Sequence, residues 1–286
     1  MKIIQDTELI ITKDKKIYHL NLDKEQIADD IILVGDQDRV YQISRHFEKI
    51  TEKVQHREFV THTGTYKGKK ITALSTGIGC DNIDIVINEL DALVNIDFEK
   101  RTVNSEKKNL NLIRLGTSGA LQGNIPVDSF LMSNYAIGFD GLAHFHENTD
   151  FIEKKMSKAF VNHSDWPKKL SEPYIVKASE ILLQKFNEFS KGITATASGF
   201  YSPQGRELRL KSAVPNMHQS LNTFNYNGNK ITNFEMESSA LYYLGQTLGH
   251  NTLTICAIIG NRINKTQSRD YKATVDKLIL QVLERI

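Results

Sequence analysis

The stretch from Ile231 to Ala240, which reads ITNFEMESSA, joins an apolar, β-prone approach to a helical pattern. The approach predicts a strand, and leucines three and four positions apart after the stretch predict a helix. Glu235 and Glu237 lie at the joint, where buried carboxylates are costly unless something hydrogen-bonds them. A substrate that carries neighbouring hydroxyl groups would satisfy them. An acidic helix start capped by a serine also explains the stretch, so both interpretations remain open.

Short β-branched runs in the chain lead into loops of small polar residues, often before a helical pattern. An alternating segment over 58–69 predicts a hairpin. Strands that alternate with helices predict an α/β fold with a mixed, mostly parallel central sheet flanked by helices. In that fold, ligands bind beyond the carboxyl ends of the strands. The runs are 31–34, 71–74, 112–115, 193–197 and 253–259, and helices are predicted over 38–47, 81–93, 173–189 and 270–286.

Length and composition narrow the class of protein. The 286 residues favour a single domain over 1–286, with a polar surface insertion at about 95–109. The formal net charge of +2 gives no support to nucleic acid or an anionic membrane as a partner. No apolar run reaches about 18 residues, and the first residues lack a signal-peptide core. Two cysteines far apart, Cys80 and Cys256, favour a reduced, cytoplasmic protein.

Two arginines predict an anion site near the ends of strands. Arg39 follows a Gly-Asp loop at a predicted helix start, and Arg114 ends a strand that enters Gly116 and Thr117. Guanidinium groups, loop N–H groups and a helix N-terminus together match the oxygens of a phosphate. The sequence contains neither a complete P-loop nor a dinucleotide-binding motif after a strand. The histidines match no standard zinc spacing, so no metal site is predicted.

A set of stretches in a fixed order resembles the nucleoside phosphorylase family, most closely its uridine phosphorylase branch. Any one stretch is weak, but the ordered set is specific, and it extends from about residue 17 to the C-terminal helix. The resemblance implies one nucleoside phosphorylase-like domain. The stretches are 18–20 (YHL), 35–40 (GDQDRV), 56–59 (HREF), 75–79 (STGIG), 113–120 (IRLGTSGA), 200–206 (FYSPQGR), 233–238 (NFEMES) and 259–262 (IGNR).

The resemblance implies that two subunits bind the phosphate together. Gly35 would donate its backbone N–H, and Arg39, Arg114 and Thr117 would contribute side chains of the same chain. Arg57 would come from the neighbouring subunit. The protein would therefore be a homo-oligomer, a dimer at least, with shared active sites. Inorganic phosphate would be the co-substrate, and no metal or organic cofactor would be needed.

The ribose site that the resemblance implies also spans two subunits. Glu237 would accept hydrogen bonds from the 2′- and 3′-hydroxyls of the sugar, and Met236 would pack under the ring. His19 of the neighbouring subunit would reach the 5′-hydroxyl. Glu235 would support the loop that carries these residues.

The base site implied by the resemblance is specific for a pyrimidine. Gln204 and Arg206 would bind the edge of uracil, Phe200 and Ile259 would form the walls, and Arg262 would orient the residues that contact the base. Purine-cleaving relatives carry an aspartate that protonates the purine. This chain has Asn261 there, and an amide cannot supply that proton. Purines should therefore be poor substrates.

The sequence thus predicts phosphorolysis of uridine to uracil and ribose 1-phosphate, a pentosyltransferase reaction of pyrimidine salvage. Arg114, Glu237, Gln204 and Arg206 would be the catalytic residues. An oriented phosphate attacks the anomeric carbon, and hydrogen bonds stabilise the departing uracil anion. The alternatives are a purine nucleoside phosphorylase or a nucleosidase on the same fold. A nucleoside-binding protein without turnover is a third hypothesis.

The chain departs from the family pattern at two places in its loops. Gln37 stands where many relatives carry proline in the loop before Arg39. Some bacterial relatives bind a monovalent cation at the dimer interface, near Glu58 and Ile78. Asn82 replaces a serine ligand of that cation, and this replacement disfavours a cation at the interface.

Overall fold

Strands and helices alternate along residues 2–286, which the computed structural model describes. The strands are β1 (Asp30–Val34), β2 (Lys49–His56), β3 (Phe59–Tyr66), β4 (Lys69–Ser75), β5 (Ile96–Asp97), β6 (Thr102–Val103), β7 (Asn111–Ala120), β8 (Phe130–Gly138), β9 (Tyr174–Lys177), β10 (Ser190–Thr196), β11 (Asn225–Tyr226), β12 (Asn229–Glu235), β13 (Asn251–Asn261) and β14 (Thr266–Gln267). The α-helices are α1 (Gln37–Ser44), α2 (Cys80–Asn95), α3 (Lys154–Ser164), α4 (Glu180–Lys185), α5 (Met217–Thr223), α6 (Ser238–Thr247) and α7 (Tyr271–Leu283).

The sheet is mixed and closes partly on itself. Its order is β11-β12-β10-β8-β13-β7-β1-β4-β3-β2, with β9 beside β8 and β14 beside β13. β12 also pairs with β7, where Asn233 lies opposite Ala120, so five strands from β7 to β12 form a ring. This pairing is antiparallel. The chain that follows β12 therefore continues back along β7 toward Arg114.

The mixed α/β fold predicted from the sequence is confirmed. Parallel pairing is concentrated in the central strands, where β1 pairs with β4 and β7, β13 with β7, and β10 with β8 and β12. The hairpins and the edge strands pair in the antiparallel sense. The predicted hairpin turns at Lys67 and Gly68, which both have positive φ, as a two-residue turn requires.

The core lies where helices cover the central strands. Ile31, Ile32, Leu33 and Val34 of β1 have no exposed surface, as expected for a strand that is covered on both faces. Burial of each such side chain contributes about 1.5–3 kcal/mol. The predicted helices over 38–47, 81–93 and 270–286 correspond to α1, α2 and α7. Within the described residues 2–286, no helix combines the length and the apolar character needed to cross a membrane.

The helix predicted over 173–189 is wrong. Tyr174, Ile175 and Val176 belong to β9, which pairs with β8, and a short helix, α4, follows only at Glu180. All three side chains are fully buried, and a β-branched run that is buried on both faces fits a strand better than a helix. Ile181, one of the residues that suggested the helical spacing, is 64% exposed.

The polar insertion at 95–109 contains the β5–β6 pair and holds the N-terminal segment. The backbone N–H of Ile4 donates to the carbonyl of Arg101 at 2.8 Å. The guanidinium of Arg101 donates back to the carbonyls of Ile4 at 2.8 Å and Gln5 at 3.0 Å. Phe98 is half-buried and packs against the main core. The insertion thus packs on the core through Ile96 and Phe98 and is held by polar contacts that include those of Arg101 and an ion pair between Lys108 and Asp29.

His62 gives the fold a testable dependence on pH. Its side chain is buried on β3, its Nδ1 lies 2.7 Å from the hydroxyl of Ser44, and its ring packs edge-on against Tyr41. Burial, and then the charge of Lys53, lower the pKa of His62 below its ordinary value of 6.5. The folded state therefore binds fewer protons than the unfolded state below pH 6.5, and stability is lost as the pH falls through that window.

We predict that His62→Gln reduces the acid sensitivity of folding, because the replacement cannot titrate. The fall in Tm between about pH 7.5 and about pH 5 should be smaller by about 2–4 °C than in the wild type. Calorimetry of both proteins measures the difference, and His144→Gln, at an exposed histidine, is the control. An unchanged slope in His62→Gln would refute the prediction.

Candidate active site

Three chain segments converge beside the middle of β7. Gly35 follows β1 and lies against the loop after β4, because a Cβ at Gly35 would be 3.3 Å from the carbonyl oxygen of Gly77. Arg39, in the first turn of α1, is buried and donates to the carbonyl of Leu115 at 3.3 Å. Thr117 follows on β7 and is half-buried. The residues predicted for phosphate from one chain therefore lie around the same part of β7.

Arg114 is buried between two carboxylates. One terminal nitrogen forms an ion pair with Glu237, and the other lies 3.3 Å from Glu235. Gly116 leaves room for this guanidinium, because a Cβ there would be 2.2 Å from an Arg114 nitrogen. Within residues 2–286, Nε of Arg114 has no hydrogen-bond acceptor, and the terminal nitrogen near Glu235 makes that ion-pair contact without the geometry of a hydrogen bond. These buried donors are suited to the oxygens of a bound anion.

The two glutamates at the joint between β12 and α6 have different roles. Glu235 accepts hydrogen bonds from the backbone N–H groups of Glu237 and Ser238 at 3.0 Å, and from the hydroxyl of Thr196 at 2.6 Å. Glu235 therefore caps the start of α6 and supports the loop. Glu237 instead faces Arg114 and accepts from the backbone N–H of Gly79 at 2.9 Å. The helix-start interpretation thus fits Glu235, although no serine side chain caps α6, and a contact of Glu237 with substrate hydroxyls stays a prediction.

The charges in this region are strongly coupled. Burial raises the pKa of Glu237, and Arg114 opposes that shift. Burial and then repulsion by Arg114 lower the pKa of Arg39. Burial also disfavours the charged form of Arg114, but Glu237 and Glu235 more than offset it and raise its pKa. A bound anion would relieve the repulsion between the two arginines.

A second cluster of polar side chains lies where β10 and β13 end. Gln204 is buried at the end of a 3-10 turn, and its side-chain oxygen accepts from Arg206 at 2.6 Å and from Arg262 at 2.7 Å. The guanidinium of Arg206 lies 3.7 Å from the centre of the Phe200 ring. Ile259, on β13, is half-buried. Phe200, Arg206 and Arg262 therefore come together around Gln204, while Ile259 precedes Arg262 by three residues along the chain.

Arg262 connects the second cluster to β7. Its backbone N–H donates to Ala120 at 3.0 Å, and its side chain lies over Gly119. Gly119 is five residues beyond Arg114, a distance of about 16 Å along a strand. Burial and repulsion by Arg206 lower the pKa of Arg262 to about 10. Two cationic regions thus lie along one strand, with the Met236–Glu237 segment beside it.

His19 and Arg57 form a separate cluster in this chain. Arg57 donates to the hydroxyl of Tyr18 at 3.2 Å, and His19 bonds Glu89 at 2.7 Å. The side chain of His56 bonds the carbonyl of His19 at 2.8 Å. The side-chain hydrogen bonds of Arg57 and His19 within 2–286 stay inside this cluster. The carbonyl of Arg57, however, accepts from the side chain of Gln37, in the first turn of α1, at 3.3 Å. The cluster therefore lies beside the start of α1.

Three residues beside the predicted site residues have structural roles that the sequence did not indicate. Gly79 supplies the N–H that holds Glu237, and Gly116 supplies the space for Arg114. Both lie in stretches that carry the family resemblance, so the signal was present. Nε2 of His218 lies 3.4 Å from a terminal nitrogen of Arg262. The sequence before His218 has neither a motif nor an apolar periodicity that would indicate a role for it.

The model of the phosphorylase superfamily matches residues 29–284, almost the whole chain. The chain belongs to the phosphorylase superfamily. Its structure superposes on a Trypanosoma brucei nucleoside phosphorylase, described as showing uridine phosphorylase activity, with a TM-score of 0.86 and 30% identity. That comparison covers 97% of this chain and 100% of the other. The predicted enzyme class, a pentosyltransferase of the nucleoside phosphorylase type, is confirmed by this membership.

Relatives in the superfamily are named for both kinds of base. A uridine phosphorylase of Thermococcus kodakarensis is 29% identical over 252 residues, which cover 88% of this chain and 80% of that protein. A DeoD-type purine nucleoside phosphorylase of Listeria monocytogenes is 26% identical over 269 residues, 93% of this chain and 97% of that protein. The two sequence identities are too similar to show whether this chain acts on a pyrimidine or a purine nucleoside. The identity of the base must be argued from the site.

We predict that Gly116→Ala impairs the use of phosphate. The added methyl group would displace the Arg114 guanidinium, and a misplacement of about 1 Å can reduce a rate by about 100-fold. The measurement is kcat/KM for phosphate in phosphorolysis, with Tm measured beside it. Gly123→Ala is the control, because Gly123 is exposed and a Cβ there would meet only the ends of the Asn264 and Ile263 side chains. Equal effects of the two variants would contradict the role of Gly116.

Proposed function

We propose that this enzyme cleaves uridine with inorganic phosphate to give uracil and ribose 1-phosphate. The observation that carries the proposal is the contact between Arg114 and Glu237. An arginine suited to a phosphate and a carboxylate suited to a sugar diol are adjacent in one buried site. The cluster of Gln204, Arg206 and Arg262 lies further along the same strand, where the base of a nucleoside would extend.

The residues have complementary roles in the reaction. A phosphate oxygen forms a bond to the anomeric carbon as the N-glycosidic bond breaks, and the bonding electron pair leaves with the uracil. Arg39 and Arg114 orient the phosphate, and Glu237 fixes the ribose hydroxyls while positive charge develops on the sugar. Arg206 and Gln204 donate hydrogen bonds to the uracil anion, which is then protonated by solvent. One such preorganised donor contributes about 2.7–4 kcal/mol to a transition state.

The surroundings of Asn261 support a pyrimidine as the base. Its amide nitrogen donates to the carbonyls of Gln122 at 2.9 Å and Ile125 at 2.8 Å. Its oxygen accepts from the N–H groups of Ile263 and Asn264, both at 2.9 Å. An aspartate would place a carboxylate oxygen against two carbonyl oxygens. The position is therefore built for an amide, which has no proton to give to a purine.

The arginines support phosphorolysis over hydrolysis by a nucleosidase. A nucleosidase activates water and has no need of two buried guanidinium groups beside the sugar site. Arg39 is 8% exposed and Arg114 is 4% exposed, so both are kept out of solvent at a cost in desolvation. A nucleoside-binding protein without turnover would not need that arrangement either.

We further propose that the active site is completed by a second subunit, which would supply Arg57 and His19. Inorganic phosphate is the co-substrate, and the proposed reaction needs no metal or organic cofactor. A monovalent cation at the interface stays a proposal, and Glu58 and Asn82, the groups to test, both lie beside Gly77. A cytoplasmic location is supported by two buried, unpaired cysteines.

Uracil release from uridine, with and without phosphate, tests the proposed reaction directly. We expect release that depends on phosphate and yields one ribose 1-phosphate per uracil. Inosine should be a poorer substrate than uridine, because no residue at position 261 can protonate the purine. Release that is independent of phosphate would establish a nucleosidase, and faster turnover of inosine would establish a purine phosphorylase. Uridine binding without any release would establish a binding protein.

Mixed oligomers test the shared site. We expect Arg57→Ala and Arg114→Ala to be nearly inactive alone, because each removes a phosphate ligand from every site. In a mixed dimer, one of the two sites regains both arginines. Random mixing by denaturation and refolding should therefore restore about a quarter of the wild-type activity. Refolding each variant alone is the control, and a mixture no more active than either variant would exclude a shared site.

A further inference from the structure

His218, on α5, lies beside the base cluster but has no part in the proposed reaction. Its Nε2 is 3.4 Å from a terminal nitrogen of Arg262 and 3.3 Å from the carbonyl oxygen of Gly205. Gly205 has a φ of +69°, and a Cβ there would lie 2.6 Å from the same nitrogen. The imidazole therefore lies between Arg262 and Gly205, and Gly205 separates Gln204 from Arg206 in the chain.

Nε2 of His218 has two neighbours of opposite kind. The carbonyl oxygen of Gly205 can accept from an Nε2–H, whereas the guanidinium of Arg262 is only a donor and favours the tautomer in which Nε2 presents its lone pair and Nδ1 carries the proton. The charged groups that act on His218 are Arg262 and Arg206, and both are cations. Burial and then Arg262 lower the pKa of His218, and Arg206 adds to this shift while the contact with the Gly205 carbonyl opposes it. The neutral ring is therefore favoured near pH 7.

Arg262 has only a few contacts that can hold its guanidinium in place. One terminal nitrogen donates to the backbone oxygen of Gln204 at 2.7 Å, and the other donates to its side-chain oxygen at 2.7 Å. The face of the guanidinium lies 5.3 Å from the Phe234 ring. No carboxylate forms an ion pair with Arg262 within residues 2–286. A further acceptor beside the Arg262 guanidinium, such as Nε2 of His218, would therefore restrict its orientation.

We propose that His218 is a positioning residue of the base site. Its neutral imidazole accepts from Arg262 and fixes the guanidinium against Gln204, so that the amide of Gln204 is aimed at the pyrimidine. The inference rests on the proposed function for the identity of the base. It adds a specific role for a residue that contacts neither phosphate nor sugar.

His218→Leu removes the acceptor, and His218→Gln keeps an acceptor oxygen near the position of Nε2. We expect KM for uridine to rise about tenfold in His218→Leu, with KM for phosphate changed less than about twofold. His218→Gln should recover most of the loss. His163→Gln is the matched control, because His163 also binds α5, at Ser220 and Thr223, but lies away from the arginines. A purely structural role would raise both KM values together and would not distinguish Leu from Gln.

Uracil binding, measured by calorimetry, separates this inference from the proposed reaction. Weaker uracil binding in His218→Leu, restored in His218→Gln, supports the positioning role even if the wild type shows no phosphorolysis. If the wild type turns uridine over and His218→Leu matches it in KM and in uracil affinity, the inference is wrong and the proposed function stands. If the wild type neither binds uracil nor releases it from uridine, both are wrong.

Discussion

The buried ion pair between Arg114 and Glu237 sets the geometry of the site. Both side chains are almost completely excluded from solvent. Removing one partner of such a pair costs about 3–5 kcal/mol, because the other charge is left buried alone. Three neighbouring residues keep Arg114 and Glu237 in contact. Gly116 leaves space for the guanidinium, Gly79 donates to the carboxylate, and Glu235 fixes the loop through its cap on α6.

The closure of the sheet explains how these residues meet. Arg114 and Glu237 are 123 positions apart in the chain. β12 joins β7 in the antiparallel sense, so the loop after β12 passes back along β7 and carries Glu237 to Arg114. The same pairing ends close to Gly119, where Arg262 lies. One strand therefore organises both the anion site and the base cluster.

The two regions differ in how their positive charges are compensated. Arg114 has Glu235 and Glu237 as partners, whereas Arg206 and Arg262 form no ion pair with a carboxylate within residues 2–286. Arg39 is repelled by Arg114, and Arg262 is repelled by Arg206, while burial disfavours all of these charges. The free energy of folding holds these arginines together, so they need little reorganisation when a ligand binds. An anion at each end fits this arrangement. Phosphate would supply one, and the departing pyrimidine would supply the other.

The sequence predicted several residues that the structure brings together along β7, whereas parts of the fold could not be predicted. Apolar spacing located α1, α2 and α7, because each has one buried face. The same spacing failed at β9, where burial on both faces removes the distinction between strand and helix. The ring of strands closes where two residues of β12 pair with two residues of β7. No local sequence pattern predicts such a pairing. His218 was missed because its role comes from its position beside Arg262 and from nothing in its own neighbourhood.

A structure of the protein crystallised with uridine and sulfate would test the central claim most directly. Sulfate should lie on Arg39 and Arg114, the ribose hydroxyls on Glu237, and the uracil edge on Gln204 and Arg206, all within one continuous pocket. Sulfate bound at the arginines with uridine bound at a separate place on the molecule would contradict the account.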